Sequence, residues 1–190
     1  LVNFANELLQ AYGSTLDLTR PSRQRLGDDA SIARLTRELA TGAVGVLVTS
    51  GVNPIHELTE GDQWAELLTK VPVLVAVAER IHETAALARY LCPSPHPLES
   101  WGDYEPIAGT VCLRQPTTVA VGDTRSLDAN LAAWSGTPLA AEELLRARWR
   151  DAVYNPSTDG PSFEAFWDRS LREGWTRRSN PADAALHFDV

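Results

Sequence analysis

Three short stretches of this 190-residue chain carry the residue types that binding or catalysis needs. The first is Thr49-Ser50-Gly51-Val52-Asn53-Pro54, directly after a β-branched run. Glycine lets a backbone approach a ligand closely. Asparagine offers a donor and an acceptor to a base or ribose edge. Ligands of open α/β sheets sit outside the carboxyl ends of the strands, so this set suits the nucleotide portion of a cofactor. It suits an ordinary strand-to-helix turn as well, because Gly-x-Asn-Pro is sound turn chemistry.

The second stretch is Glu79-Arg80-Ile81-His82-Glu83-Thr84. His82 and Glu83 invite a metal-site reading, but the zinc-protease helix needs a second histidine where Ala86 stands. Glu83-Thr84 reads instead as a helix N-terminus whose carboxylate complements the helix dipole. The Thr84 hydroxyl is then expected to face the same crevice as Ser50 and Asn53, since both loops follow adjacent parallel strands. In the third stretch, residues 96–103, Glu99 and Asp103 lie close to Glu105, enough carboxylates for a general acid–base pair. Nothing in the sequence gives any of them a reason for a shifted pKa. A rigid docking loop, stiffened by Pro93, Pro95 and Pro97 with Trp101 packed beneath, is the alternative. His56, His96 and His187 are isolated, and no GxSxG, Walker A or GxGxxG pattern occurs.

The elements expected to position these residues follow from hydrophobic periodicity. Residues 3–12 carry a helical stripe that stops at Gly13. A polar linker covers roughly residues 14–27, and a helix capped by Asp28 or Asp29 carries Ile32, Leu35, Leu39 and Ala40. Residues 43–48 read as a strand buried on both faces, the parallel-sheet pattern. A helix at 62–70, a second buried strand at 71–77 and a helix at 83–90 repeat the alternation. Helix-strand-helix-strand-helix predicts an α/β fold with a parallel, dinucleotide-fold-like sheet. Residues 93–125 read as a long loop with short strands near 110–114 and 117–121. Helices follow at 126–134, 138–149 and 162–172, with a frayed tail from Gly174. This gives an α/β domain over residues 1–135 and a helical extension over 136–190.

Composition narrows the function classes. Hydrophobic residues make up 44% and charged residues 22% of the chain, a globular balance. The net charge of −8 argues against general nucleic-acid binding, which needs a basic footprint. The longest apolar run, residues 71–78, is too short to cross a bilayer. Cys92 and Cys112 have no metal-ligand spacing and read as two unrelated, partly buried thiols. They cannot hold an iron–sulfur centre alone. The chain has no methionine and no signal-peptide pattern at Leu1-Val2-Asn3-Phe4, so it reads as a segment of a longer polypeptide.

An ordered series of motifs spans most of the chain: Gly51-Val52-Asn53-Pro54, Val71-Pro72, Glu83-Thr84-Ala85-Ala86-Leu87-Ala88 and Leu98-Glu99-Ser100-Trp101-Gly102-Asp103. Gln115-Pro116, Asp123-Thr124-Arg125, Trp149 and Phe166-Trp167 with Leu171 and Gly174 continue it. The series resembles the molybdopterin oxidoreductase family, in particular its polysulfide-reductase-like branch and the related subunit of alternative complex III. The resemblance implies that this region grips one guanosine arm of a molybdopterin guanine dinucleotide through Ser50, Gly51, Asn53, Pro54 and Thr84. Glu99 would lie near the pterin side. It implies no catalytic or metal-ligating residue in this segment. The implied partners are the remaining domains of a parent subunit and the iron–sulfur and membrane subunits of a respiratory redox complex. The implied location is periplasmic or membrane-associated, with neither nucleic acid nor membrane insertion expected. The chain departs from the family pattern at Arg89, where an acidic residue is usual. That change favours a cofactor-less scaffold, as in the alternative complex III subunit. A free-standing nucleotide-binding module is a third reading.

Overall fold

A computed structural model describes residues 1–178 of the chain. Its helices and strands are, in chain order, α1 (Val2–Leu8), α2 (Asp29–Ala40), β1 (Val46–Ser50), α3 (Pro54–Glu57), α4 (Gly61–Leu68), β2 (Val73–Ala78), α5 (Glu83–Ala86) and β3 (Tyr90–Pro93). They continue with β4 (Gly102–Ile107), β5 (Thr110–Arg114), α6 (Leu127–Trp134), α7 (Ala141–Ala152), α8 (Pro156–Asp159), α9 (Phe163–Glu173) and β6 (Trp175–Arg177). The chain forms two compact units, neither continuous in sequence. One comprises Gly27–Trp101 and Gln115–Leu144; the other comprises Leu1–Leu26, Gly102–Arg114 and the segment from Leu145 on. The 135/136 division read from the sequence falls inside the second segment of the first unit.

The first unit is α/β, as the alternation predicts. β1, β2 and β3 form a parallel sheet in that order, with Val46 opposite Val73, Ser50 opposite Val77, and Val75 opposite Tyr90. The central strand β2 is buried from Leu74 to Ala78. Leu39 of α2 and Trp64, Leu67 and Leu68 of α4 pack with Val71 and Leu74 into one apolar core. Ala76, Ala78 and Ala85 form a smaller cluster, and their short side chains let α5 lie close to β2.

Two sequence expectations need correction here. Val46 and Val48 were expected to be buried on both faces, yet they are 61% and 40% exposed. β1 is an edge strand of this sheet, and a β-branched run reads alike whether or not its second face is covered. The helix expected over residues 83–90 lasts a single turn. The chain then returns as β3, whose Tyr90-Leu91-Cys92 lacks the β-branched signal and follows the helix-favouring Ala85-Ala86-Leu87-Ala88.

The second unit is built on an antiparallel sheet, β4-β5-β6. The turn at Ala108-Gly109 uses the positive φ of Gly109 (79°), and the Gly109 amide donates to the Glu105 carboxylate at 2.6 Å. Glu105 also pairs with Arg23 and Arg178, each at 3.4 Å. Asp103 accepts from the Trp149 indole Nε1 at 2.8 Å and pairs with Arg148 at 2.7 Å. Trp149, Phe166 and Trp167 are buried and form this unit's aromatic core. Residues 102–107 are a strand rather than part of a loop, and residues 117–121 form no strand. The chain beyond Gly174 continues as β6, paired to β5. The tail past residue 178, including His187, lies outside the described residues.

One glycine sets where the candidate site stands. A Cβ on Gly61, the first residue of α4, would lie 2.0 Å from the Ile55 carbonyl oxygen of α3, a backbone atom that cannot swing away. Close approach of α3 to α4 therefore depends on the missing side chain. Gly61→Ala is expected to lower stability by about 2–3 kcal/mol through overpacking, measured by denaturant unfolding. A loss below about 0.5 kcal/mol would show that α3 is not held this tightly.

Candidate functional site

The site is built where β1 and β2 end. Gly51 follows β1 with φ at 63°, a left-handed backbone that glycine adopts without strain, and its amide donates to the Val77 carbonyl at 3.2 Å. A Cβ at this position would meet nothing within 4 Å, so conformation rather than crowding calls for glycine and the backbone above it is open. Pro54 begins α3, where a fixed φ and a missing N–H suit the first turn. The Asn53 amide donates to the Glu57 carboxylate at 3.1 Å.

Asn53 ties this turn to the loop after β2. Its Oδ1 accepts from the Thr84 hydroxyl at 2.8 Å and from the Thr84 amide at 3.3 Å. Thr84 is fully buried, and its hydroxyl in turn accepts from the Ile55 amide at 3.3 Å. Asn53 Nδ2 donates to Glu83 Oε2 at 2.7 Å. An amide carbonyl has two lone pairs, so Thr84 uses all of the acceptor capacity of Asn53. One amide proton is left. The expectation that Asn53 presents both a donor and an acceptor to a ligand is thus narrowed to one donor.

Glu83 is exposed, and the Asn53 hydrogen bond, before its own backbone amide and the nearby His56 and His82, holds its carboxyl below the usual range. Because the folded value is the lower one, the stabilisation is in place above the unfolded pKa. It is lost as pH falls through the folded pKa. Glu83 stands in the first turn of α5, the helix N-terminus read from the sequence, and His82 caps it, its Nδ1 accepting from the Ala85 amide at 3.3 Å.

Of the residues singled out by sequence, Ser50, Gly51, Asn53 and Pro54 share one turn, and Thr84 is bonded to it. Glu99 is employed elsewhere. It closes a capping box in the 3-10 turn Pro97–Glu99, its carboxylate accepting from the His96 amide at 3.2 Å while His96 Nδ1 accepts from the Leu98 amide. The carboxylates of Asp103 and Glu105 serve the second unit's ion pairs and indole bond. Sequence reasoning gave Glu83 a helix-end role only; its one sequence signal was adjacency to Thr84. Arg89 stands at the start of β3, its amide on the Leu74 carbonyl and its guanidinium over the Tyr90 ring. At about 3.3 Å per strand residue it lies roughly 13 Å from the Pro93 end. Arg89 thus stands at the amino end of its strand, while the turn follows the carboxyl end of β1 in the same parallel sheet.

Cys92 and Cys112 are free and half-buried. Among the described residues, no group of three or more His, Cys, Asp or Glu could hold a metal ion, and no helix is long and apolar enough to cross a membrane. No family model matches the chain, and no curated protein matches it. Among solved structures, it is similar to acetylene hydratase from Pelobacter acetylenicus, with a TM-score of 0.54 and 17% sequence identity. The match covers 78% of this chain and 21% of that chain, so the sequence spans only about a fifth of the length of its structural relative. The likeness is one of fold.

The bond between the two loops has a direct test. Asn53→Ala strands the buried Thr84 donors, and Thr84→Val removes the hydroxyl; each is expected to cost about 1–3 kcal/mol. In a double-mutant cycle the pair should show a coupling of about 1 kcal/mol, read by denaturant unfolding. Additivity within a few tenths of a kcal/mol would show that the two residues do not act together.

Proposed function

We propose that this chain is a segment of a molybdopterin-oxidoreductase-like subunit and forms one wall of a molybdopterin guanine dinucleotide site. The observation that carries this reading is the turn of Ser50, Gly51 and Asn53, fastened to Thr84 at the carboxyl ends of adjacent parallel strands. That is where α/β sheets bind nucleotides. The fold likeness to acetylene hydratase, a molybdenum/tungsten enzyme of the molybdopterin oxidoreductase family, supports it, as does the ordered motif series.

The donor set fits the nucleotide end of such a cofactor. Ser50 offers a hydroxyl, Gly51 an uncovered backbone, Asn53 one amide proton and Glu83 a carboxylate, all suited to a polar, uncharged ribose or base. The metal held by the pterin would supply the reaction chemistry. These residues bind and orient the far end of the molecule and perform no step of it, so the segment has no activity of its own. In this reading Pro54 and Thr84 shape the wall, and Glu99 belongs to the pterin-side loop. The partners are the remaining domains of the parent subunit and, beyond them, iron–sulfur and membrane subunits of a respiratory complex in the periplasm or at a membrane. That extension rests on the motif series alone.

Elemental and pterin analysis of the full-length protein tests the proposal. Stoichiometric molybdenum or tungsten with a releasable guanine nucleotide is expected, and Asn53→Ala should lower the cofactor content. Metal-free, pterin-free protein recovered from cells that load other molybdoenzymes would overturn it and favour the scaffold.

A further inference from the structure

A groove of about 400 Å³ lies between the first two turns of α2 and the chain that leads into α4. That volume is within the range of small-ligand sites. The groove shares no residue with the crevice at the carboxyl ends of β1 and β2, so the nucleotide-wall reading does not account for it. Two carboxylates line it, Asp29 and Glu60, and no Arg, Lys or His does. Asp28, not Asp29, caps α2, its carboxylate accepting from the Ser31 amide at 3.0 Å. Asp29 complements the dipole of the same helix from the first turn, which leaves its oxygens open. Glu60 stands at the N-cap position of α4 but makes no side-chain cap bond. Neither carboxylate has an ion-pair partner among the described residues.

Trp64 gives the second observation. It is 4% exposed and lines the groove, yet its indole N–H donates to no acceptor among the described residues. A buried indole N–H ordinarily has one. Gln63 adds a carboxamide beside it, and Ile32 and Leu58 add apolar surface. We propose that this groove binds an organic cation, a guanidinium or ammonium on an aliphatic stem with a carbonyl acceptor at the stem's other end. Asp29 and Glu60 hold the cation, Ile32 and Leu58 cover the stem, and Trp64 and Gln63 donate to the carbonyl. An anion is repelled by the two carboxylates. A neutral apolar ligand would strip water from them without replacing it. All of the chain's net charge of −8 lies in the first unit, a field that draws cations toward it. An arginine or lysine of a protein segment carries this chemistry complete, main-chain carbonyl included; a free amine carries the cation and stem alone.

The experiment is calorimetric titration of the full-length protein with N-acetyl-arginine methylamide, its neutral citrulline isostere, and agmatine, which has the guanidinium and stem without the carbonyl. The arginine derivative should bind saturably, and the citrulline derivative at least about tenfold more weakly. Asp29→Asn combined with Glu60→Gln, two exposed changes that spare the core, should cost the arginine derivative at least about tenfold and leave the citrulline derivative unchanged. Trp64→Phe keeps a ring in the core and removes only the N–H. If the occupant is a protein segment, agmatine should bind about three- to tenfold more weakly than the arginine derivative, and Trp64→Phe should erase that difference. Agmatine binding as tightly as the arginine derivative, with no effect of Trp64→Phe, would assign the groove to a free amine and overturn the role of Trp64. Equal binding of the arginine and citrulline derivatives, affinity unchanged in the double variant, or no saturable binding at about 10 mM would overturn the site.

Discussion

Thr84 has no access to solvent, and its hydroxyl and amide must find partners within the protein. The carbonyl of Asn53, 31 residues upstream, satisfies both. An unpaired buried donor costs as much as several favourable surface contacts. The two loops at the carboxyl ends of β1 and β2 therefore stand or fall together. The surrounding features converge on keeping them in place. Gly61 lets α3 approach α4, the alanines of β2 and α5 let α5 lie flat on the sheet, and the positive φ of Gly51 turns the chain from β1 toward Asn53. A binding surface on these loops would be held by the core of the first unit.

Much of this unit could be read from the residues. Asp28 caps α2, Trp64 and Leu67 face the core, and the apolar run before Ala78 is the central strand, because each carries a local signal that tertiary packing reinforces. β3 was hidden because Tyr90-Leu91-Cys92 lacks the β-branched signal and stands behind a helix-favouring alanine run. Its strand character comes from pairing with β2. β4 was hidden for a related reason. Pro106 and Gly102 read as loop punctuation, while the hairpin is fixed by long-range partners, Arg23 and Arg178 on Glu105 and Trp149 on Asp103. Proximity in sequence also misled at residues 96–103, whose carboxylates divide between a local cap at Glu99 and the aromatic core's anchor at Asp103.

The candidate site was legible as a list of residues but not as a division of labour. Ser50, Gly51, Asn53 and Thr84 are where the spacing put them, on neighbouring loops. Which of them faces outward depends on how many lone pairs the neighbours occupy, and no spacing rule encodes that. The structure makes Asn53 the fastener and leaves the Glu83 side chain exposed. It also places Arg89 at the amino end of β3, with its guanidinium over the Tyr90 ring.

Amide hydrogen exchange, with and without saturating guanine nucleotide, tests the central claim most directly, because it reports where a ligand acts rather than whether one binds. The account predicts that added protection concentrates in residues 50–57 and 79–86, the two loops joined by Asn53 and Thr84. Protection confined to other segments, or unchanged exchange at Gly51, Ile55 and Thr84 under saturating ligand, would contradict it.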